Sequence, residues 1–280
     1  MTLETVSENK CFGGVQGVYS HASAATGTQM TFGLFMPPQA ADGPVPLLVY
    51  LSGLTCTHEN VMVKAGAQQY CARAGIALLM PDSSPRGESV PNDDGYDFGQ
   101  GAGFYLDATQ APWAQHFNME SYVTEDLLET VSSNFPQIDT ARTGITGHSM
   151  GGHGALTLAL KHPELFKSVS AFSPIVSPIN CPWGQKALGG YLGTDDQSLW
   201  RRYDACALIE NGAKAADILV DQGTADQFLE QELKPSLLES ACKNAGVPLI
   251  LNMREGYDHS YFFIASFMED HVTWAAQRLG

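Results

Sequence analysis

The residues with the most chemistry in them are Gly147-His148-Ser149-Met150-Gly151, a G-x-S-x-G set between the strand candidate ending at Thr146 and the apolar run Ala155 to Leu160. A serine on a tight strand-to-helix turn is suited to nucleophilic attack on an acyl carbon. The turn exposes its hydroxyl, the flanking glycines let neighbouring backbone come close, and a helix N-terminus behind it favours negative charge. The hydroxyl needs a base, and an imidazole base needs a carboxylate to orient it. In this arrangement the chain order is serine, acid, histidine. Only His259 and His271, of eight histidines, lie beyond the last strand candidate. His259 closes the loop Gly256-Tyr257-Asp258-His259 ahead of a helix and is the predicted base. His271 falls inside that helix, where a plain core or surface role is expected. His148 and His153 flank the serine, but a side chain adjacent to Ser149 is expected to point away from it. Their spacing matches no zinc motif.

For the acid, the strand candidate Ile218-Leu219-Val220 runs into Asp221-Gln222-Gly223-Thr224-Ala225-Asp226. Asp226, beyond a glycine turn, is favoured to reach back to an imidazole; Asp221, at the strand end, is the alternative. Asp258 is set aside because neighbouring side chains diverge. Acyl transfer also needs two donors for the oxyanion. The residue after the nucleophile supplies one, the Met150 N–H. The loop Ser52-Gly53-Leu54-Thr55-Cys56, after an apolar strand, supplies the other through Leu54.

These residues need a scaffold, and the apolar pattern describes one. Continuous apolar runs at 46–51, 76–80, 143–146, 168–172, 218–220 and 248–251 read as strands buried on both faces. Helical stretches at 60–74, 121–135, 152–162, 229–245 and 260–279 alternate with them, which predicts an α/β fold with a mainly parallel sheet, and the G-x-S-x-G at a strand-to-helix turn makes it an α/β-hydrolase fold. Residues before position 37, with Met30 to Met36 apolar, read as antiparallel edge strands. Long irregular stretches at 82–117 and 173–200 have the length of functional loops and meet where the strands end. Neither has a linker's composition, so one domain over 1–280 is expected.

Composition narrows the partners. Against 15 Lys and Arg stand 30 Asp and Glu, a formal charge of −15, which argues against nucleic acid and anionic membranes. The polar start Met1 to Lys10 offers no signal core, and no run of about 18 apolar residues occurs. Six dispersed cysteines without a Cys-x-x-Cys read as free thiols in a reducing compartment, so a cytoplasmic protein is expected.

Several blocks outside the generic hydrolase motifs carry a resemblance. They are Leu51-Ser52-Gly53-Leu54-Thr55-Cys56-Thr57, Pro81-Asp82-Ser83-Ser84-Pro85-Arg86-Gly87, Asp97 to Thr109, and Asn180-Cys181-Pro182-Trp183-Gly184-Gln185-Lys186-Ala187. With Gly147 to Ala155, Asp226-Gln227-Phe228-Leu229 and Gly256 to Tyr261, the chain resembles the S-formylglutathione hydrolase (esterase D) family over essentially its whole length. The resemblance implies hydrolysis of the small-molecule thioester S-formylglutathione to glutathione and formate, a step in formaldehyde detoxification. No cofactor and no metal is implied, short acyl esters are expected as side substrates, and the family's acid falls on Asp226. It also implies a thiol-reagent-sensitive Cys56 near the site. Relatives are often dimers, so a homodimer is part of the expectation. Trp183 is a candidate pocket residue, with a core position as its alternative. Arg86 and Lys186 are candidate cations for the anionic glutathione. Two rivals share these motifs: a broad carboxylesterase, and a catalytically inert hydrolase fold that serves as a binding protein.

Overall fold

The computed structural model describes residues 3–280. Strand β4 (Val45–Leu51) shows why its sequence is an unbroken apolar run. Leu47, Val49 and Leu51 enter one core while Leu48 and Tyr50 enter a second core on the opposite face. Burying such side chains contributes about 1.5–3 kcal/mol each. The remaining strands are β1 (Leu3–Cys11), β2 (Gly14–Ala22), β3 (Gln29–Met36), β5 (Ala77–Pro81), β6 (Ile138–Gly147), β7 (Phe166–Phe172), β8 (Ile218–Gly223) and β9 (Leu249–Arg254). One sheet joins them in the order β1-β2-β3-β5-β4-β6-β7-β8-β9. As expected, β1 to β3 pair antiparallel at the N-terminal edge, and β5 through β9 run parallel.

Helices cover both faces. On one lie α1 (His58–Lys64), α2 (Ala67–Ala74) and α9 (Tyr261–Leu279). The other carries α3 (Met119–Ser121), which continues through a π turn into α4 (Leu127–Asn134). It also carries α5 (Met150–Lys161), α6 (Pro182–Leu192), α7 (Ala205–Glu210) and α8 (Pro235–Ala245). None of these helices is long and apolar enough to cross a membrane.

Three expectations are corrected. The single helix over 60–74 is two, divided where Gly66 adopts φ +64°, a left-handed conformation open to glycine. The helix over 229–245 is a π turn over 229–233 and then α8, separated by Lys234 in the left-handed region and followed by Pro235. The stretch 173–200 is not irregular throughout, because α6 lies inside it with Pro182 at its first position.

The topology locates the site. From β4 the chain moves outward to β5, then returns to place β6 on the other side of β4, so the winding reverses there. Ligands bind outside the carboxyl ends of strands at such a reversal. The loop after β4 and the turn after β6 flank it, and these carry Leu54 and Ser149.

The helix behind Ser149 is tied at its far end. Glu120 accepts from Lys161 at 2.5 Å and meets His162 Nε2 at 2.8 Å. Burial opposes ionisation of Glu120, but hydrogen bonds from His162 and Lys161 outweigh it and hold the carboxyl down at about 2. Glu120→Gln is therefore expected to cost about 2 kcal/mol at neutral pH, the range for a hydrogen bond to a charged group. Because the folded pKa lies below the unfolded one, the wild-type advantage is complete above the ordinary carboxyl value. It shrinks as pH falls from about 4.5 towards about 2. Urea unfolding of both proteins at several pH values measures this difference.

Candidate active site

Ser149 sits at the junction of β6 and α5 with φ 60° and ψ −118°, outside the regions that ordinary residues occupy. The neighbouring backbone clamps it there. His148 N–H donates to Leu51 O at 3.1 Å, Ser149 N–H to Phe172 O at 3.0 Å, and Ile175 N–H to Ser149 O at 3.3 Å. The motif glycines permit the close packing this requires. A Cβ on Gly151 would lie 2.0 Å from Leu51 O, and one on Gly147 would lie 2.3 Å from Gly151 O. The loop after β4 is equally close, since a Cβ on Gly53 would stand 3.2 Å from the Ser149 Cβ.

Strand pairing then brings in the other two groups. β8 and β9 pair in parallel from Ile218↔Leu249 to Gly223↔Arg254, and the loops beyond them remain zipped. Thr224 N–H donates to Arg254 O and Ala225 N–H to Tyr257 O, at 3.0 and 2.9 Å. A Cβ on Gly223 would lie 2.3 Å from Tyr257 O, so only glycine admits this approach. The result is an Asp226 Oδ2 to His259 Nδ1 separation of 2.5 Å. Asp226 Oδ1 also accepts from Phe228 N–H at 2.9 Å, which aims the carboxylate. The Asp226 side chain is fully buried, while that of His259 keeps 12% exposure. With Asp226 ionised, Nδ1–H donates to it and Nε2 is left to take a proton.

Ser149 and His259 line the same cavity, of about 320 Å³, with Leu54, Cys56, Trp183 and Phe228. No hydrogen bond joins the serine hydroxyl to the imidazole among the described contacts; such bonds commonly tighten only when substrate is present. Neither the Leu54 nor the Met150 backbone N–H donates to another described group, and Leu54 lines the cavity. A larger groove of about 390 Å³ near Tyr19 and Phe135 holds neither serine nor histidine.

The alternatives separate clearly. Asp221 is fully buried and accepts from Asn252 at 2.7 Å and from Arg254, so it braces β8 against β9. Asp258 accepts from the Ser260 N–H and hydroxyl at the start of α9. His153 meets Phe104 O at 3.1 Å, and His271 is buried in the core, stacked on Phe172 with ring centroids 3.6 Å apart. His148 departs from expectation. Instead of pointing away, it lines the cavity with its ring centroid 4.3 Å from that of His259. Burial, and then the neighbouring His259, push its pKa well down, so it stays neutral beside the base.

Trp183 lines the cavity from α6 and donates through Nε1 to the Tyr96 hydroxyl at 3.2 Å. Both long stretches thus reach the site, although sequence reasoning missed Tyr96. Its place within one of those stretches was the available signal. Cys56 also lines the cavity, and burial pushes its thiol above the ordinary value against the pull of Lys64. The two cations suggested by sequence are engaged elsewhere and do not line the cavity. Arg86 pairs with Asp82 at 3.0 Å, and Lys186 with Asp97 at 2.5 Å. Lys64, which sequence reasoning passed over, lines it instead.

The chain resembles known proteins over its whole length. Residues 23–274 match the family described as "Putative esterase". The chain is 57% identical to an S-formylglutathione hydrolase of Paracoccus denitrificans, with full coverage of both chains. It is 48% identical to one of Rattus norvegicus, covering 100% of this chain and 99% of that one. The solved structure of an S-formylglutathione hydrolase from Agrobacterium tumefaciens superposes with a TM-score of 0.97 at 51% identity, covering 99% of this chain and 100% of the other. Likeness of this extent settles the family: the chain belongs to the S-formylglutathione hydrolases, a group of α/β-fold esterases.

Proposed function

We propose that this protein hydrolyses S-formylglutathione to glutathione and formate through a formyl-serine intermediate, with Ser149, His259 and Asp226 as its triad. The observation that carries this reading is a convergence in one cavity. A serine held in a clamped turn, an imidazole oriented by a buried carboxylate and the oxyanion loop at Leu54 meet there, with Met150 next in sequence to the serine. Ser149 Oγ attacks the formyl carbon while His259 Nε2 takes its proton. The Leu54 and Met150 N–H groups hold the oxyanion. Collapse breaks the C–S bond, and His259 returns the proton to the departing thiolate. Water then attacks the formyl ester, losing its proton to His259, and formate leaves as Ser149 is reprotonated. Groups of this chain and water complete the sequence. His148, kept neutral, adds no positive charge beside the imidazolium formed in each half-reaction.

The apolar wall of Trp183 and Phe228 suits a small acyl group, and short-chain esters are expected as side substrates. One continuous sheet and a family match over 23–274 support a single domain. Six free cysteines suit a cytoplasmic protein. A homodimer rests on the family resemblance alone.

The decisive measurement compares kcat/KM for S-formylglutathione with that for a neutral aryl acetate. The thioester is expected to be preferred, and a wide margin for the acetate would make this a general carboxylesterase. Ser149→Ala and His259→Ala are each expected to lose on the order of 10³-fold or more in kcat. Asp226→Asn is expected to cripple turnover. Asp221→Asn is expected to lower the unfolding temperature while the folded enzyme keeps most of its kcat. The opposite pattern would move the acid to Asp221. At the oxyanion loop, Leu54→Ala is expected to change kcat little, because only its backbone N–H is used. Cys56→Ser is expected to keep turnover and abolish inactivation by a maleimide. Since the thiolate is the reactive form and burial raises the Cys56 pKa, wild-type inactivation should quicken as pH rises through the ordinary thiol range and beyond.

A further inference from the structure

Glutathione presents two carboxylates against one ammonium, whereas this protein carries a formal charge of −15. The long-range field therefore repels the substrate, and attraction must be local. Among the described residues, Lys64 is the only Lys or Arg lining the cavity of Ser149 and His259, and no Asp or Glu lines it. Unlike Arg86 and Lys186, it forms no ion pair among the described residues. Its ammonium stands 5.7 Å from the centre of the Tyr261 ring, itself part of the cavity wall. One helical turn earlier, Asn60 lines the same cavity. Its Oδ1 is occupied by the Thr57 N–H at 3.0 Å, and its Nδ2 donates to no described group. Residues four apart share a helix face, so α1 offers the cavity an ammonium and an unengaged amide donor side by side.

We propose that Lys64, assisted by Asn60, is the specificity determinant that binds a carboxylate of the glutathione moiety. The inference rests on the function proposed above. A carboxylate takes a charge-assisted hydrogen bond from Lys64 and a second bond from the Asn60 amide. A neutral ester has nothing for either group to hold. The same face thus recognises the leaving group without taking part in bond cleavage.

The test reads binding separately from thioester turnover. S-methylglutathione, which has no scissile acyl group, is used as a competitive inhibitor of aryl acetate hydrolysis. Lys64→Gln is expected to raise its inhibition constant about five- to tenfold, and Lys64→Glu to raise it further, while Lys64→Arg stays within about threefold of wild type. In turnover, Lys64→Gln is expected to raise KM for S-formylglutathione at least about fivefold more than KM for the aryl acetate, with the two kcat values changing in parallel. Lys243→Gln on α8, outside the cavity, alters net charge by the same amount and is expected to leave the inhibition constant within about twofold. The proposal is overturned if S-methylglutathione fails to inhibit wild type, if Lys64→Gln leaves its inhibition constant within twofold, or if Lys243→Gln weakens it equally. Loss of the preceding functional reading has a different signature: wild type bound by S-methylglutathione yet unable to hydrolyse S-formylglutathione.

Discussion

The turn at Ser149 is the constraint to which the rest of the site is fitted. A residue with a side chain, held at positive φ, costs on the order of 1–3 kcal/mol and persists only where its surroundings leave no alternative. Here Leu51 at the end of β4, and Phe172 and Ile175 at and just beyond the end of β7, bond to the backbone of residues 148 and 149. Gly147 and Gly151 allow those segments to close to distances that a Cβ would forbid. The same closeness seats the β4 loop against the serine, so that the proposed nucleophile and oxyanion donors are fixed by one piece of packing. Strain at the turn and order in the cavity are two aspects of a single backbone arrangement.

A second layer of organisation comes from the parallel pairing of β8 and β9. Register along Ile218 to Gly223 determines where the loops emerge, and backbone bonds from Thr224 and Ala225 hold them together afterwards. Asp221 contributes from beneath as a fully buried carboxylate satisfied by Asn252 and Arg254. The two aspartates therefore divide the work by position. One secures the strands, and the other, past the glycine, meets the imidazole. His148 adds a neutral ring against that imidazole.

The surroundings of the cavity suit an enzyme that must admit a charged peptide yet act on a very small acyl group. Apolar and aromatic side chains from α6, from the loop after β8 and from the long stretch before α3 close around the reacting atoms. Positive charge comes from Lys64 on α1. A heavily acidic protein can still bind an anion when the cation lining the cavity pairs with no carboxylate among the described residues.

Much of this was legible in the linear chain. The G-x-S-x-G between a strand and a helix is read locally, because its requirement is steric and its glycines are two residues away. Buried strands announce themselves through runs such as Pro46 to Leu51, which face two cores at once. The order of serine, acid and histidine follows from a topology in which each loop leaves the same end of the sheet. Which of Asp221 and Asp226 meets the imidazole was harder to read, since both carboxylates lie near the end of β8 and their contacts depend on which side of Gly223 the chain turns. His148, Tyr96 and Lys64 were decided only by tertiary structure. A side chain's direction beside a strained turn, the fold-back of a long loop and the face of a helix broken at Gly66 are set by packing between distant segments. Local spacing carries no record of which cation already has a partner: Arg86 and Lys186 found theirs in Asp82 and Asp97, and Lys64 has no ion pair among the described residues.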